Sequence, residues 1–337
     1  MDKKQTLTKT SLNQLFKDFN NLNVLIIGDV MIDAYYFGKV DRISPEAPVP
    51  IVAVEKKEKR LGGAANVALN IQALGANPIL CSVIGQDEDG GIFENLLKKD
   101  SLSTEGILKV NTRVTTVKTR IIGNKHQLLR VDSETDENLL EVETKSLFQK
   151  IKKLITTKKI DVVVFEDYDK GVITKSLITD VVELCNEKNI PTTVDPKKRN
   201  FLDYNNVTLF KPNLKELKEG LNIEIDAKKI SEIKKAIQLL NKNLNSLITL
   251  ITLSENGIYS YSTNQQLHIP AHIRTIADVS GAGDTVISVA SLCLALKQDE
   301  ETIAKIANLA GGLVCEKVGV VPIDKKILQS ETLLKLI

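Results

Sequence analysis

The sequence predicts a doubly wound α/β fold, a mostly parallel sheet sandwiched by helices, and three observations carry that prediction. Short β-branched runs alternate with helical patterns for most of the length, which is the mark of βαβ crossovers. The 337 residues are 42% apolar, enough for one large core without a true second domain. Two strand-like segments break the alternation and predict a small additional sheet flanking the large one.

In chain order, Leu12, Leu15, Phe16 and Phe19 fall on one face of a surface helix within residues 1–23. NVLII (23–27) is the first strand, and PVPIVAV (48–54) is the first segment without a following crossover. AANVALNIQALG (64–75) is helical, NPILCSVIG (77–85) a strand and IFENLLKK (92–99) a helix. The second interrupting segment, residues 114–131, has a turn at Gly123-Asn124 that predicts a hairpin. Beyond it come strands at 161–165, 190–195, 207–210 and 246–252, and helices at 177–188 and 230–242. An almost charge-free helix, VISVASLCLALK, follows residue 285. No linker or internal repeat interrupts this order, so the expectation is a single domain over 1–337, with lid strands at about 48–54 and 114–131.

Composition excludes several function classes. The 45 basic and 43 acidic residues leave a net charge of +2, too little for a field that would hold nucleic acid or an anionic membrane. No segment reaches the roughly 18 apolar residues of a membrane span, and the N-terminus has no apolar signal core. Cys81, Cys185, Cys293 and Cys315 lie far apart in apolar segments, as small buried hydrophobes in a reducing compartment would. The expected location is the cytoplasm.

The chemistry concentrates in DVSGAGDT, residues 278–285. Taken alone, either aspartate reads as a turn or helix-capping residue. Gly281, Ala282 and Gly283, however, leave backbone N–H groups uncovered at a helix N-terminus, which is an anion hole suited to phosphate. A carboxylate beside such a hole suits removal of a proton from a hydroxyl attacking that phosphate. The P-loop string is absent, Val286 replaces the third glycine of a dinucleotide fingerprint, and the protein-kinase H-R-D signature is missing.

DVSGAGDT resembles the C-terminal signature of the ribokinase-like (PfkB) carbohydrate kinases, whose second aspartate is the catalytic base. RLGGAANVALNIQALGA (60–76) resembles the family's sugar-contacting glycine segment, and KPNLKE (211–216) its N-x-x-E nucleotide and magnesium motif. GDVMIDAYYFG (28–38), the segment 42–68, EDYDKGVIT (166–174) and VDPK (194–197) are similar to the kinase portion of bacterial D-glycero-β-D-manno-heptose 7-phosphate kinases.

That resemblance implies a ribokinase-like fold with a β-sheet lid and transfer of a phosphoryl group from ATP, with Mg2+, to the anomeric hydroxyl of heptose 7-phosphate. The product is a heptose 1,7-bisphosphate on the route to ADP-heptose and lipopolysaccharide. It implies Asp284 as base, kept ionised by the positive helix end, with Gly281, Ala282 and Gly283 facing the phosphoryl group. Asp278 is implied beside a monovalent cation such as K+; its bland reading is a turn residue. Asn213, Leu214, Lys215 and Glu216 are implied at ATP and Mg2+, with Glu216 orienting metal-bound water, although Asn213 and Glu216 equally spell a helix cap with a first-turn acid. Thr252 and Asn308 are nucleotide-pocket candidates that could equally serve packing.

Asp33, at the end of the first strand, is expected to bond sugar hydroxyls together with Gly62, Gly63, Asn66 and Asp167. The sugar's own phosphate needs cations, and Arg42, Arg120, Arg130, Lys170 and Lys197 are the candidates, each of which could be a solvated surface charge. Two positions depart from the subgroup: Ala34 stands where arginine is common, and Glu166 where a small residue is usual. These departures leave open a kinase for fructose 6-phosphate, fructose 1-phosphate or ribose, and, from another class, a non-catalytic nucleotide or sugar sensor. His126, His268 and His272 form no HxGH adenylyltransferase site, so the expectation is a stand-alone kinase, homodimeric through its lid, with a separate adenylyltransferase acting next.

Overall fold

The computed structural model describes residues 8–226 and 229–337. Helix α1 (Lys9–Asp18) precedes β1 (Asn23–Gly28), and β2 (Val30–Ile43) and β3 (Pro50–Gly63) lead into α2 (Ala64–Ala73). Then follow β4 (Asn77–Gly85), α3 (Glu88–Lys99), β5 (Ile107–Val110), β6 (Val117–Gly123), β7 (His126–Ser133), α4 (Glu141–Thr157), β8 (Val162–Glu166) and α5 (Lys175–Glu187). The second half runs through β9 (Thr192–Asp195), β10 (Leu209–Phe210), α6 (Leu214–Leu221), α7 (Ile230–Leu244), β11 (Ile248–Thr252), β12 (Ile258–Ser262) and β13 (Gln266–Ile269). Helices α8 (Ala282–Ala295), α9 (Glu300–Val314) and α10 (Lys325–Leu336) close the chain.

Nine strands form the large sheet in the order β13-β12-β11-β10-β9-β8-β1-β4-β5. All neighbours are parallel except β11-β12 and β12-β13. Alternate residues of its central strands enter separate cores: Val24, Ile26, Val162 and Val164 pack with α1, α2, α3, α8, α9 and α10. Leu25, Ile27, Val163 and Phe165 pack with α4, α5, α6 and α7. Both faces are thus covered, which is why these strands read as continuous apolar runs. The four cysteines are buried and unpaired, as expected, and burial pushes the thiols of Cys81, Cys185 and Cys293 up to about 12. Among the described residues no helix is long and apolar enough to cross a membrane.

The second sheet has four strands in the order β3-β2-β6-β7. Its hairpin, β6 and β7, overlaps the expected segment 114–131 and runs on to Ser133, but the expected strand at 48–54 covers only the start of β3, which continues to Gly63. The sequence reading also passed over β2. Asp33 accordingly does not end the first strand, which stops at Gly28; it sits inside β2, opposite Arg60 of β3. Strand β3 enters α2 with no loop between them, through Gly63 at φ 63°. A side chain there would be strained, and its Cβ would lie 2.4 Å from the Asp29 carbonyl oxygen.

Candidate active site

Parallel strands end side by side, so the residues just beyond them meet. Gly28 of β1, Glu166 of β8 and Asp195 of β9 are in register, and Lys211 directly follows β10. The sheet reverses its winding direction between β1 and β8, where α/β sheets leave a crevice at the carboxyl ends of their strands. Asp29 organises that edge. Its carboxylate accepts N–H bonds from Tyr168 (2.8 Å), Lys170 (3.2 Å) and Val172 (2.9 Å), which shapes the loop after β8. Burial, reinforced by Asp167, raises its pKa to about 6.

Asp284 is the third residue of α8. It is buried, and Oδ1 accepts a 3.0 Å hydrogen bond from the Tyr168 hydroxyl while the Asn66 side chain also bonds to the carboxylate. Burial, followed by repulsion from Asp195, raises its pKa to about 6 against the opposing Tyr168, Asn66 and Lys211. It still ionises at neutral pH, roughly ten to one. Gly281, at φ 79°, precedes the helix, and a Cβ there would press on Val320 at 2.9 Å. Of the expected anion hole, Ala282 spends its N–H on the Val279 carbonyl (3.3 Å). Among the described residues the N–H groups of Gly281, Gly283 and Asp284 donate to no protein acceptor and remain available to an anion.

Around this point lie four carboxylates, Glu166, Asp195, Glu216 and Asp284, and two ammonium groups, Lys197 and Lys211. Lys211 pairs with Asp195 at 2.8 Å, with exposures of 2% and 6%. Burial alone would discharge Lys211, but Asp195 and then Glu216 hold its pKa above the usual lysine value. Lys197 pairs with Glu216 and stands 5.6 Å over the Tyr168 ring. Glu166 is 1% exposed and its Oε2 has no hydrogen-bond partner. Burial and the neighbouring Asp195 and Asp284 push its pKa well up, which favours the neutral carboxyl.

Residues 21–326 match the pfkB family carbohydrate kinase. The chain belongs to that family. This makes it an ATP-dependent sugar kinase, a class that uses ATP and Mg2+. The kinase is similar to the bifunctional protein HldE of Helicobacter pylori (strain J99), 38% identical over 296 residues, covering 88% of this chain and 63% of the relative. It is likewise similar to the HldE of Desulfatibacillum aliphaticivorans, 37% identical over 314 residues, with 93% and 63% covered. The chain spans about 63% of the length of these relatives. Among solved structures, Escherichia coli phosphofructokinase-2 in complex with potassium superposes with a TM-score of 0.76 at 17% identity, covering 94% of this chain and 98% of that one. Arabidopsis thaliana ribokinase complexed with ribose and ATP superposes at 0.70 and 16% identity, covering 93% and 99%. At these identities they establish the ribokinase-like fold.

The kinase's carboxylates suit magnesium. Asp195, Glu216 and Asp284 against Lys197 and Lys211 leave negative charge in excess, and Glu166 contributes an orphaned buried oxygen. Among the described residues no group of three or more His, Cys, Asp or Glu side chains could hold a metal ion by itself. Mg2+, which keeps much of its water and binds through few carboxylates plus substrate phosphates, fits such a set.

The remaining expected residues scatter. Asn213 caps α6 and forms a reciprocal pair with Glu216 at 2.8 Å in both directions, the helix-cap arrangement. Burial, then Asp195, raises the pKa of Glu216. Leu214 packs against the core, and Lys215 is exposed and 3.7 Å from Glu219. Thr252 bridges to Asn213, whereas Asn308 donates to the Pro270 carbonyl (2.9 Å), a packing contact. Asp278 tethers two loops by accepting from the N–H groups of Ser280 (2.9 Å) and Gly319 (3.0 Å), which lower its pKa.

Asp33 accepts from Arg120 at 2.6 Å, and a Cβ on Gly62 would lie 2.5 Å from its Oδ2. Asp167 does not meet the expectation of a free sugar ligand: it is buried and bonded to Asn200, Tyr204 and the Asp169 N–H. Arg130 pairs with Asp132 (2.9 Å), Lys170 with Glu134 (2.7 Å), and Arg42 is exposed near the far end of β2.

The sequence reading missed Asp29, Tyr168, Asp195, Lys211 and Asn70. Four of these stand just after or at the end of an apolar strand, the one signal that could have flagged them. Asn70, by contrast, lies unmarked in mid-helix. It donates to the Asn66 carbonyl (3.0 Å) and accepts from Thr285 (3.2 Å) and the Ile323 N–H (3.0 Å), joining α2, α8 and the segment before α10.

Proposed function

We propose that this kinase transfers the γ-phosphoryl group of ATP to the anomeric hydroxyl of D-glycero-β-D-manno-heptose 7-phosphate. The observation that carries the chemistry is Asp284, a buried carboxylate held by Tyr168 and Asn66 beside the open N–H groups of Gly281 and Gly283. The similarity to HldE proteins supports the choice of sugar.

In this reading Asp33 and Asn66 orient the sugar hydroxyls, and Asp284 takes the proton of the attacking one. With its pKa near 6, Asp284 is both ionised at neutral pH and basic enough to accept it. The N–H groups of Gly281 and Gly283, with Lys211, stabilise charge that spreads over the transferring phosphoryl group. Magnesium, bound with the ATP phosphates near Glu216, would neutralise phosphate charge. Asp278 holds the anion-hole loop in place, beside which a monovalent cation would bind. The small sheet acts as a lid and as a homodimer contact, and the bisphosphate passes, after loss of one phosphate, to an adenylyltransferase.

ADP release measured with a panel of sugars and sugar phosphates tests this. Heptose 7-phosphate should exceed fructose 6-phosphate, fructose 1-phosphate and ribose in kcat/KM by tenfold or more, about 1.4 kcal/mol in transition-state stabilisation. Equal values would remove the heptose assignment and leave the kinase.

A further inference from the structure

We propose that Lys59, Arg60 and Lys99 form the subsite for the phosphate that the acceptor sugar already carries, an inference that rests on the sugar-phosphate reading above. The three cations line a cavity of about 300 Å³, together with Asp33, Tyr35 and Asn66. None of the five cations suggested by sequence lies along it. Arg120 is occupied by Asp33, Arg130 by Asp132, Lys170 by Glu134 and Lys197 by Glu216.

The cavity adjoins the reaction centre. Asn66 lines it and bonds to Asp284, and Val320 on the same wall packs against Gly281. From Asn66 the cavity runs along α2 past Leu69 and Asn70 to Lys99 and Asp100 at the end of α3. Asp100 is tied to α2 where its carbonyl accepts from Gln72 (3.0 Å). Six residues separate Asn66 from Gln72, about 9 Å at the helical rise. A sugar that lies along α2 with its reacting hydroxyl at Asp284 directs its far carbon toward Lys99, while Lys59 and Arg60 line the β3 wall of the same cavity.

Two of those cations are paired, in pairs that an anion can displace. Lys59 pairs with Asp89 (2.8 Å) and Arg60 with Glu58 (2.6 Å), but all four side chains are partly exposed, so water screens the pairs and a dianion can replace them. Lys99 makes no ion pair among the described residues. The Arg60 guanidinium is stacked 4.9 Å over Tyr35, and with Glu58 displaced the edge of its fork can make two parallel bonds to phosphate oxygens. Asp33 and Asp100, the acids on the same walls, suit the hydroxyls between the two ends.

The test compares the native kinase with Arg60→Gln and with the triple variant Lys59→Gln, Arg60→Gln, Lys99→Gln. Kinetics are measured on a phosphorylated sugar and on the same sugar without its phosphate, with inorganic phosphate as a competing anion. Arg60→Gln should raise KM for the phosphorylated sugar about tenfold and the triple variant about a hundredfold or more. The value of kcat, the KM for ATP and the melting temperature should stay close to native, and KM for the unphosphorylated sugar should not move. Inorganic phosphate should compete with the acceptor in the native kinase and cease to do so in the triple variant. Equal KM changes for the two sugars, or unchanged phosphate inhibition in the triple variant, would overturn the subsite. A native preference for unphosphorylated sugars would remove the heptose phosphate reading, yet competition by inorganic phosphate that the triple variant loses would still support the subsite.

Discussion

At the carboxyl edge of the large sheet, Lys211 and Asp195 pair at 2% and 6% exposure; on the small sheet, Lys39 and Glu55 pair at the same 2.8 Å with 63% and 57% exposed. The geometry is alike and the surroundings are opposite. Solvent screens the outer pair, so either member can be lost cheaply. The inner pair has no such relief, and removing one member leaves a charge stranded in a low dielectric. The difference separates two conditions for the same residue types: Lys211 and Asp195 at the strand ends are locked to each other, while an exposed pair such as Lys39 and Glu55 can exchange its partner for water or another ion.

The largest effect should come from Asp284→Asn. Turnover in an ADP-release assay should fall by roughly 10² to 10⁴, and a loss of only a few-fold would break the assignment of the base. The same variant should be more stable than the native chain at pH 7. The folded-state pKa of Asp284 is about 6 against an ordinary 3.8, so between those values the folded state holds a proton that the unfolded state has released. That contribution to stability is present in acid and is lost as pH rises from about 4 to about 6. Chemical denaturation across this range should show a shallower loss in Asp284→Asn, with Asp29 supplying the remainder.

Next in size, Lys211→Met should reduce unfolding stability by about 3 to 5 kcal/mol, because Asp195 is left buried and unpaired. Lys39→Gln, on the small sheet, should cost under about 1 kcal/mol. Similar values for the two would erase the contrast between the regions.

Glu166→Gln should have the smallest effect of all. An amide reproduces the neutral carboxyl that burial and the neighbouring acids impose, so turnover should stay within about threefold and stability within about 1 kcal/mol. A large loss would mean that Glu166 carries charge when substrate is bound, and would sharpen the count of negative groups near magnesium.

The same contrast explains what could be read from the sequence. NVLIIG and VVVFE are buried on both faces and stand out as strands. VMIDAYYFGKVDRI, half exposed in β2, mixes polar and apolar residues and does not. At the site, Asp284, Gly62-Gly63 and the Asn213-Glu216 pair were visible as local patterns. Lys211, Asp195 and Tyr168 were not, since they become neighbours only when β8, β9 and β10 lie side by side. Four of the five cations chosen by proximity to motifs are paired with acids, and for Arg120, Lys170 and Lys197 the partner is distant in the chain, which one-dimensional nearness does not show.

Asn70 gives this arrangement a mechanical meaning. One amide, 2% exposed, joins its own helix at the Asn66 carbonyl to the Thr285 hydroxyl, 215 residues further on, and to the Ile323 N–H, 253 residues further on. The helix that carries Asn66 and the helix that carries Asp284 are thereby clamped into a single chassis, and β3 is welded to the same chassis because it runs straight into α2. The placement of Asp284, the proposed base, is then inherited from the interior of the molecule and not from any surface loop. Drift in the outer strands can then occur without moving the Asp284 carboxylate relative to Asn66.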